Sequence, residues 1–131
     1  MDDKNIKNFP KALASIAEAT KAMGFDMASE PKTGALLRTL ASSKPKGQFL
    51  ELGTGTGLSA AWPGKFSHLK LALNLLAEGG IYIIDDLLPQ ANWPDGHAPK
   101  VPKLIAELES LVGFKTVQLA WASGLMLVTK Q

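Results

Sequence analysis

The chain has 131 residues, of which 46% are hydrophobic and 20% are charged, and its formal net charge at pH 7 is +2. This length predicts one domain with a buried core, and the small net charge gives no reason to expect nucleic acid or a membrane surface as a partner. The chain contains no cysteine, which excludes disulfides, a thiolate nucleophile and cysteine-ligated metals.

The first part of the chain predicts two helices. The first covers Lys11 to Met23 and stops at Gly24, and the second covers Thr33 to Ser42. Ser29 is the expected N-cap of the second helix, with Pro31 in its first turn. Apolar or small residues at three- and four-residue spacing indicate the inward faces, namely Leu13, Ile16, Ala17 and Thr20 in the first helix and Leu36, Leu37 and Leu40 in the second.

A short apolar strand, Phe49 to Leu52, runs directly into the turn Gly53-Thr54-Gly55-Thr56-Gly57. Glycines at such a turn bring bare backbone close to a ligand, and the exposed N–H groups favour polar or anionic ligand groups. The third glycine comes one position too early for a dinucleotide fingerprint, and no lysine follows as in a phosphate-binding loop. A tight strand-to-helix connection without a ligand is the alternative.

The second part predicts a mixed pattern of helices and strands. Pro63-Gly64 stops any helix that follows the glycine turn, and a clear helix then covers Phe66 to Ala77. Its apolar face comprises Phe66, Leu69, Leu73 and Leu76, widened by Leu71, Ala72 and Leu75. The apolar run Ile81 to Ile84 is typical of a strand buried on both faces of a parallel sheet. The remaining predictions are a proline-rich loop over 87–102, a helix over 101–111, and an antiparallel hairpin of strands 115–120 and 125–129.

The segment Glu51-Leu52-Gly53-Thr54-Gly55-Thr56-Gly57 resembles the first motif of class I S-adenosylmethionine-dependent methyltransferases. Residues 23–62 and 62–109 resemble the front and back of bacterial O-methyltransferase-like proteins, and the closing hairpin resembles their last two strands. The resemblance implies that Glu51, Gly53, Thr54, Gly55 and Gly57 bind S-adenosylmethionine. It also implies that the activity is methyl transfer to a hydroxyl of a small molecule.

The middle of that family's fold is missing here, since Trp62-Pro63 joins the front directly to the back. We interpret the junction as an in-frame internal deletion that removes the acid holding the cofactor ribose and the residues around its adenine. The expected fold is α/β, a shortened Rossmann-like methyltransferase sheet in the order 49–52, 81–84, 125–129, 115–120. In family terms these are the first, fifth, seventh and sixth strands, with the last strand antiparallel and flanking helices. The whole chain, 1–131, is expected to be one truncated domain, with N-terminal helices in 1–47 and the α/β core in 48–131.

Asp85 and Asp86 follow the strand 81–84, where open α/β sheets place ligand sites. In metal-dependent catechol-type methyltransferases an Asp-Asn pair at the matching place binds a divalent cation, so the resemblance implies Mg²⁺ binding by Asp85 and Asp86 and a catalytic role for Asp85. Two carboxylates can hold a loosely bound Mg²⁺. The alternative is a solvated turn in which one carboxylate caps the following loop.

His97 lies near Trp93 in the proline-rich loop and is the candidate catalytic base, because a histidine can exchange a proton near neutral pH. Two functions stay open: a methyltransferase homologue with weakened cofactor binding, or an inactive shortened or engineered scaffold that folds as an oligomer. The expected partners are a small-molecule acceptor and a second copy of the chain, with exchanged elements. The sequence shows no signal peptide and no membrane-spanning run, so we expect a cytoplasmic location.

Overall fold

The structure is a computed structural model that describes residues 6, 9–26, 28–50 and 65–131, with only the helical backbone described for 65–68. The chain forms two compact units, Met1–Ser59 and Ala60–Gln131. The prediction of one domain divided after residue 47 stays a prediction. Across the described residues no helix is long and apolar enough to cross a membrane.

The described part of the first unit contains two helices, α1 (Leu13–Ala22) and α2 (Pro31–Ser42). Pro31 begins α2, where its missing N–H costs nothing, but the N-cap is Glu30. The prediction of Ser29 as the cap was therefore wrong by one residue, and no side chain caps the helix. The predicted inward faces are only partly covered, because Ile16 is 58% exposed and Leu37 is 42% exposed.

Two features at the ends of these helices test the sequence predictions further. Gly24 follows α1 with a φ of +65°, a left-handed conformation that favours glycine, as expected for a helix stop. Phe49 and Leu50 are not part of a strand and are 65% and 67% exposed. The rest of the predicted strand, from residue 51, lies outside the described residues, so the first place in the predicted strand order is not confirmed.

The described part of the second unit contains two α-helices and a three-stranded sheet. The helices are α3 (Lys65–Leu75) and α4 (Val101–Glu109), and the strands are β1 (Ile81–Ile84), β2 (Phe114–Leu119) and β3 (Leu125–Lys130). A short 3-10 helix, Ala98–Lys100, leads directly into α4. The protein is therefore mixed α/β, as predicted, and the proline-rich loop is partly helical rather than wholly irregular.

The sheet has the order β1-β3-β2, with β3 antiparallel to both neighbours. β1 and β2 consequently run in the same direction on either side of β3. The β2–β3 pair is the predicted hairpin, and β3 lies between the other two strands. The predicted four-strand, Rossmann-like order stays a prediction. β1, however, is not a strand buried in a parallel sheet, because its described pairing is antiparallel and its four side chains are only half-buried.

The core of the second unit lies between the sheet and its two helices. It is formed by Leu69 and Leu73 of α3, Leu108 of α4, and Met126 and Val128 of β3. Burying each such side chain contributes about 1.5–3 kcal/mol. The predicted widening of α3 was wrong for Leu71 and Leu75, which are 59% and 71% exposed, and right for buried Ala72.

Candidate functional site

The candidate site lies at the edge of the sheet where β1 ends and β3 begins. Backbone pairing continues past the end of β1, because the N–H groups of Leu87 and Leu88 donate to the carbonyls of Gly124 and Ser123 at 3.0 and 2.8 Å. Gly124 has a φ of +86°, and a Cβ atom there would collide with the backbone of Leu88. This close approach holds the residues after β1 against the β2–β3 turn.

Asp85 is fixed by two hydrogen bonds to one of its carboxylate oxygens. Oδ1 accepts from the backbone N–H of Asp86 at 2.6 Å and from the hydroxyl of Ser123. Because Ser123 is only 9% exposed, this contact is largely withdrawn from solvent. Asp85 thus caps the start of the loop, as the alternative interpretation of the acid pair describes, although the capping contact is largely buried rather than solvated.

Asp86 has a strained backbone and a partly desolvated carboxylate. Its φ is +64°, a region in which Asp and Asn are among the few tolerated side chains. Its Oδ2 accepts a hydrogen bond from the indole Nε1–H of Trp93 at 2.8 Å. Burial raises the pKa of Asp86, the Trp93 hydrogen bond and the charge of His97 lower it, and the charge of Asp85 raises it, with the net direction upward.

His97 lies in this cluster through Trp93, at the residue preceding the 3-10 helix. The two ring centroids are 4.6 Å apart and the rings are tilted by 57°. The predicted proximity of His97 to Trp93 is therefore observed, and Trp93 connects the histidine to Asp86. A carboxylate and an imidazole close together at one sheet edge can bind a polar group and exchange its proton.

The residues predicted to hold a metal fit one only in part. Mg²⁺ is commonly bound through one or two carboxylates and keeps several waters, and Asp85 and Asp86 supply two. No group of three or more His, Cys, Asp or Glu side chains that could hold a metal occurs among the described residues. A cation at Asp86 would also have to compete with the indole of Trp93 for the carboxylate.

The other predicted site residues lie elsewhere in the chain. Glu51, Gly53, Thr54, Gly55 and Gly57 all fall outside the described residues, so their predicted cofactor binding stays a prediction. Sequence reasoning missed Ser123 as the partner of Asp85 and the bond from Trp93 to Asp86. The only signal for Ser123 was its place in the hairpin turn.

Comparison with known protein families, curated proteins and solved structures finds no match to this chain.

Proposed function

We propose that this chain is an S-adenosylmethionine-dependent methyltransferase homologue whose acceptor, a small molecule with a hydroxyl group, binds at the cluster of Asp86, Trp93 and His97. The observation that carries the proposal is the convergence of these side chains just beyond β1. Parallel α/β sheets place ligand sites at the carboxyl ends of their strands, and the proposal extends this rule to the end of β1, whose described pairing is antiparallel. Residues 51–57 resemble the family's first motif, and this resemblance is the reason to expect S-adenosylmethionine as the cofactor.

The proposed chemistry asks little of the protein beyond positioning. Bound S-adenosylmethionine supplies a methyl group already activated for transfer. His97 takes the proton of the acceptor hydroxyl, and Asp86, whose carboxylate interacts electrostatically with His97, stabilises the charge that forms on the imidazole. Asp85, held by Ser123 and the Asp86 N–H, positions the backbone of this turn. If Mg²⁺ takes part, Asp85 and Asp86 are the residues that would hold it.

The second candidate function is a scaffold that folds, associates with further copies and catalyses nothing. The specific observation in its favour is that both acids already serve the protein's own structure, Asp85 through Ser123 and Asp86 through Trp93. The acid that binds the cofactor ribose in the resembled family is missing from this chain, which also favours the scaffold. A carboxylate hydrogen-bonded to a ribose contributes about 1.5–3 kcal/mol, so its loss weakens binding about ten- to a hundredfold.

Isothermal titration with S-adenosylmethionine and with its demethylated product separates the two candidates. Micromolar dissociation constants, weakened in a Glu51→Gln variant and unchanged in a Glu78→Gln variant, are the expected result for a methyltransferase homologue. Absence of heat at millimolar ligand would leave only the scaffold. Mass measurement in solution then tests the scaffold in turn, because a well-folded monomer would contradict association through the sheet edges.

A further inference from the structure

A second concave surface lies beside the cluster described above and shares Trp93 with it. It is a groove of about 390 Å³ between the proline-rich loop and α4, a size within the usual range of small-molecule sites, which is about 300–1,000 Å³. Leu87 and Trp93 line the loop side, and Val101 and Ile105 line the helix side. Apart from one acid, the described residues that line it are apolar.

Several features fix the shape of the groove before any ligand arrives. Trp93 is held by the hydrogen bond to Asp86 and by contact with the ring of His97. Pro89, another lining residue, has a restricted φ, and Val101 is buried in the start of α4. Because these walls are fixed by contacts made elsewhere, a ligand loses little binding free energy in ordering them.

The acid in the lining is Glu109, two turns of α4 beyond Val101 on the same face as Ile105. Its Oε1 accepts a hydrogen bond from the side-chain amide of Gln118 at 2.6 Å. This partner is neutral, so it orients the carboxylate and leaves the negative charge in place. The neighbouring lysines of the 3-10 helix and α4, Lys100 and Lys103, do not line the groove.

We propose that the groove binds a small amphipathic cation, an ammonium group attached to an apolar or aromatic body. The apolar part lies along Leu87, Trp93 and Ile105, and the ammonium group donates to the carboxylate of Glu109. An acid at one end of an otherwise apolar groove favours a cation over a neutral or anionic molecule of the same shape. This binding needs no cofactor and does not depend on the proposed methyl transfer.

The test uses three probes of matched shape: 4-phenylbutylammonium, 4-phenylbutanol and 4-phenylbutyrate. Each is titrated without cofactor into the full chain while NMR follows the indole N–H of Trp93, assigned with a Trp93→Phe variant. We expect the ammonium compound to bind roughly 1.4- to fivefold more tightly than the alcohol, because an exposed ion pair contributes about 0.2–1 kcal/mol. The carboxylate should bind most weakly.

Two variants and one control test whether the preference for the ammonium compound arises in the groove. Glu109→Gln, which can still hydrogen-bond to Gln118, should bring the ammonium and the alcohol to equal affinity, whereas Glu78→Gln removes an equal charge outside the groove and should preserve the difference. Ala106→Leu, which adds a side chain to the groove lining, should weaken both compounds. The proposal is overturned if no probe gives a saturable shift, if the alcohol binds as tightly as the ammonium compound, or if the preference survives Glu109→Gln.

Discussion

The two compact units of the chain bury their side chains to different extents. In Ala60–Gln131, the central strand β3 and the facing helices bury Leu108, Met126 and Val128 completely. In Met1–Ser59, α1 has no buried residue and the only buried residue of α2 is Thr33. Both helices have amphipathic spacing, yet most helix stability in proteins comes from packing rather than from the pattern itself. The comparison teaches that the sheet, not the periodicity, determines where this chain forms a core.

The largest predicted difference between the units concerns truncation of an apolar side chain. Met126→Ala should lower the free energy of unfolding by about 2–5 kcal/mol, because it leaves a cavity at a fully buried position. Ile16→Ala in exposed α1 should lower it by less than about 0.5 kcal/mol. Urea unfolding followed by circular dichroism measures both.

Val112→Ala is the control within the second unit, since Val112 is 95% exposed and its truncation should resemble that of Ile16. Equal losses for Met126→Ala and Ile16→Ala would show that α1 has a buried face, and the contrast between the units would fail.

A smaller difference in stability is predicted for two glycines that both have a positive φ. Gly24 and Gly124 both have positive φ, +65° and +86°, so alanine costs each about 1–2 kcal/mol. A Cβ at Gly24 meets no atom within 4 Å, whereas at Gly124 it meets the backbone and side chain of Leu88. Gly124→Ala should therefore destabilise the protein by about 1–3 kcal/mol more than Gly24→Ala, as measured by thermal unfolding. Similar losses of stability in the two variants would mean that the loop after β1 moves away from the new Cβ atom at no cost in free energy.

The smallest predicted effect is a pH-dependent gain in thermal stability when the charge of Asp86 is removed. Its pKa is raised by burial, so the folded state favours the protonated acid, and this contribution to stability is lost as pH rises through the folded pKa. Asp86→Asn keeps an acceptor for Trp93 and tolerates the left-handed backbone. The variant should therefore gain in melting temperature relative to the wild type more at pH 7 than at pH 3.

Glu18→Gln on the exposed surface of α1 is the matched control for that experiment, because it removes one negative charge from the first unit. A gain of equal size and pH dependence in Glu18→Gln would trace the effect to net charge rather than to the surroundings of Asp86.

The described helices and strands could be placed from sequence because each has a clear period and a clear stop. Gly24 ends α1 and the turn before Leu125 closes the hairpin, as predicted. What periodicity cannot supply is the width of a buried face, since it does not say how much of the helix its neighbours cover. Leu71 and Leu75 fit the apolar pattern of α3 but remain exposed.

The candidate site was predictable in position but not in its contacts. A pair of acids at the end of an apolar run directed attention to Asp85 and Asp86. The partner of Asp85, Ser123, lies 38 residues further along the chain, and only the pairing of β1 with β3 brings the two together. Nothing in the residue types predicts the left-handed backbone of Asp86 or its bond to Trp93. Long-range register therefore determines the hydrogen bond between Asp85 and Ser123.

The central place of β3 has a consequence for the order in which the second unit folds. Its pairing with β2 spans a short turn, Leu119 to Leu125, whereas its pairing with β1 brings Ile81 to Thr129. Closing the longer loop costs more chain entropy, so the hairpin should form first and offer its free edge to β1. During synthesis β1 is made before Leu125–Lys130. The apolar strand β1 therefore stays unpaired until β3 has been made, and during this time it can aggregate with other nascent chains.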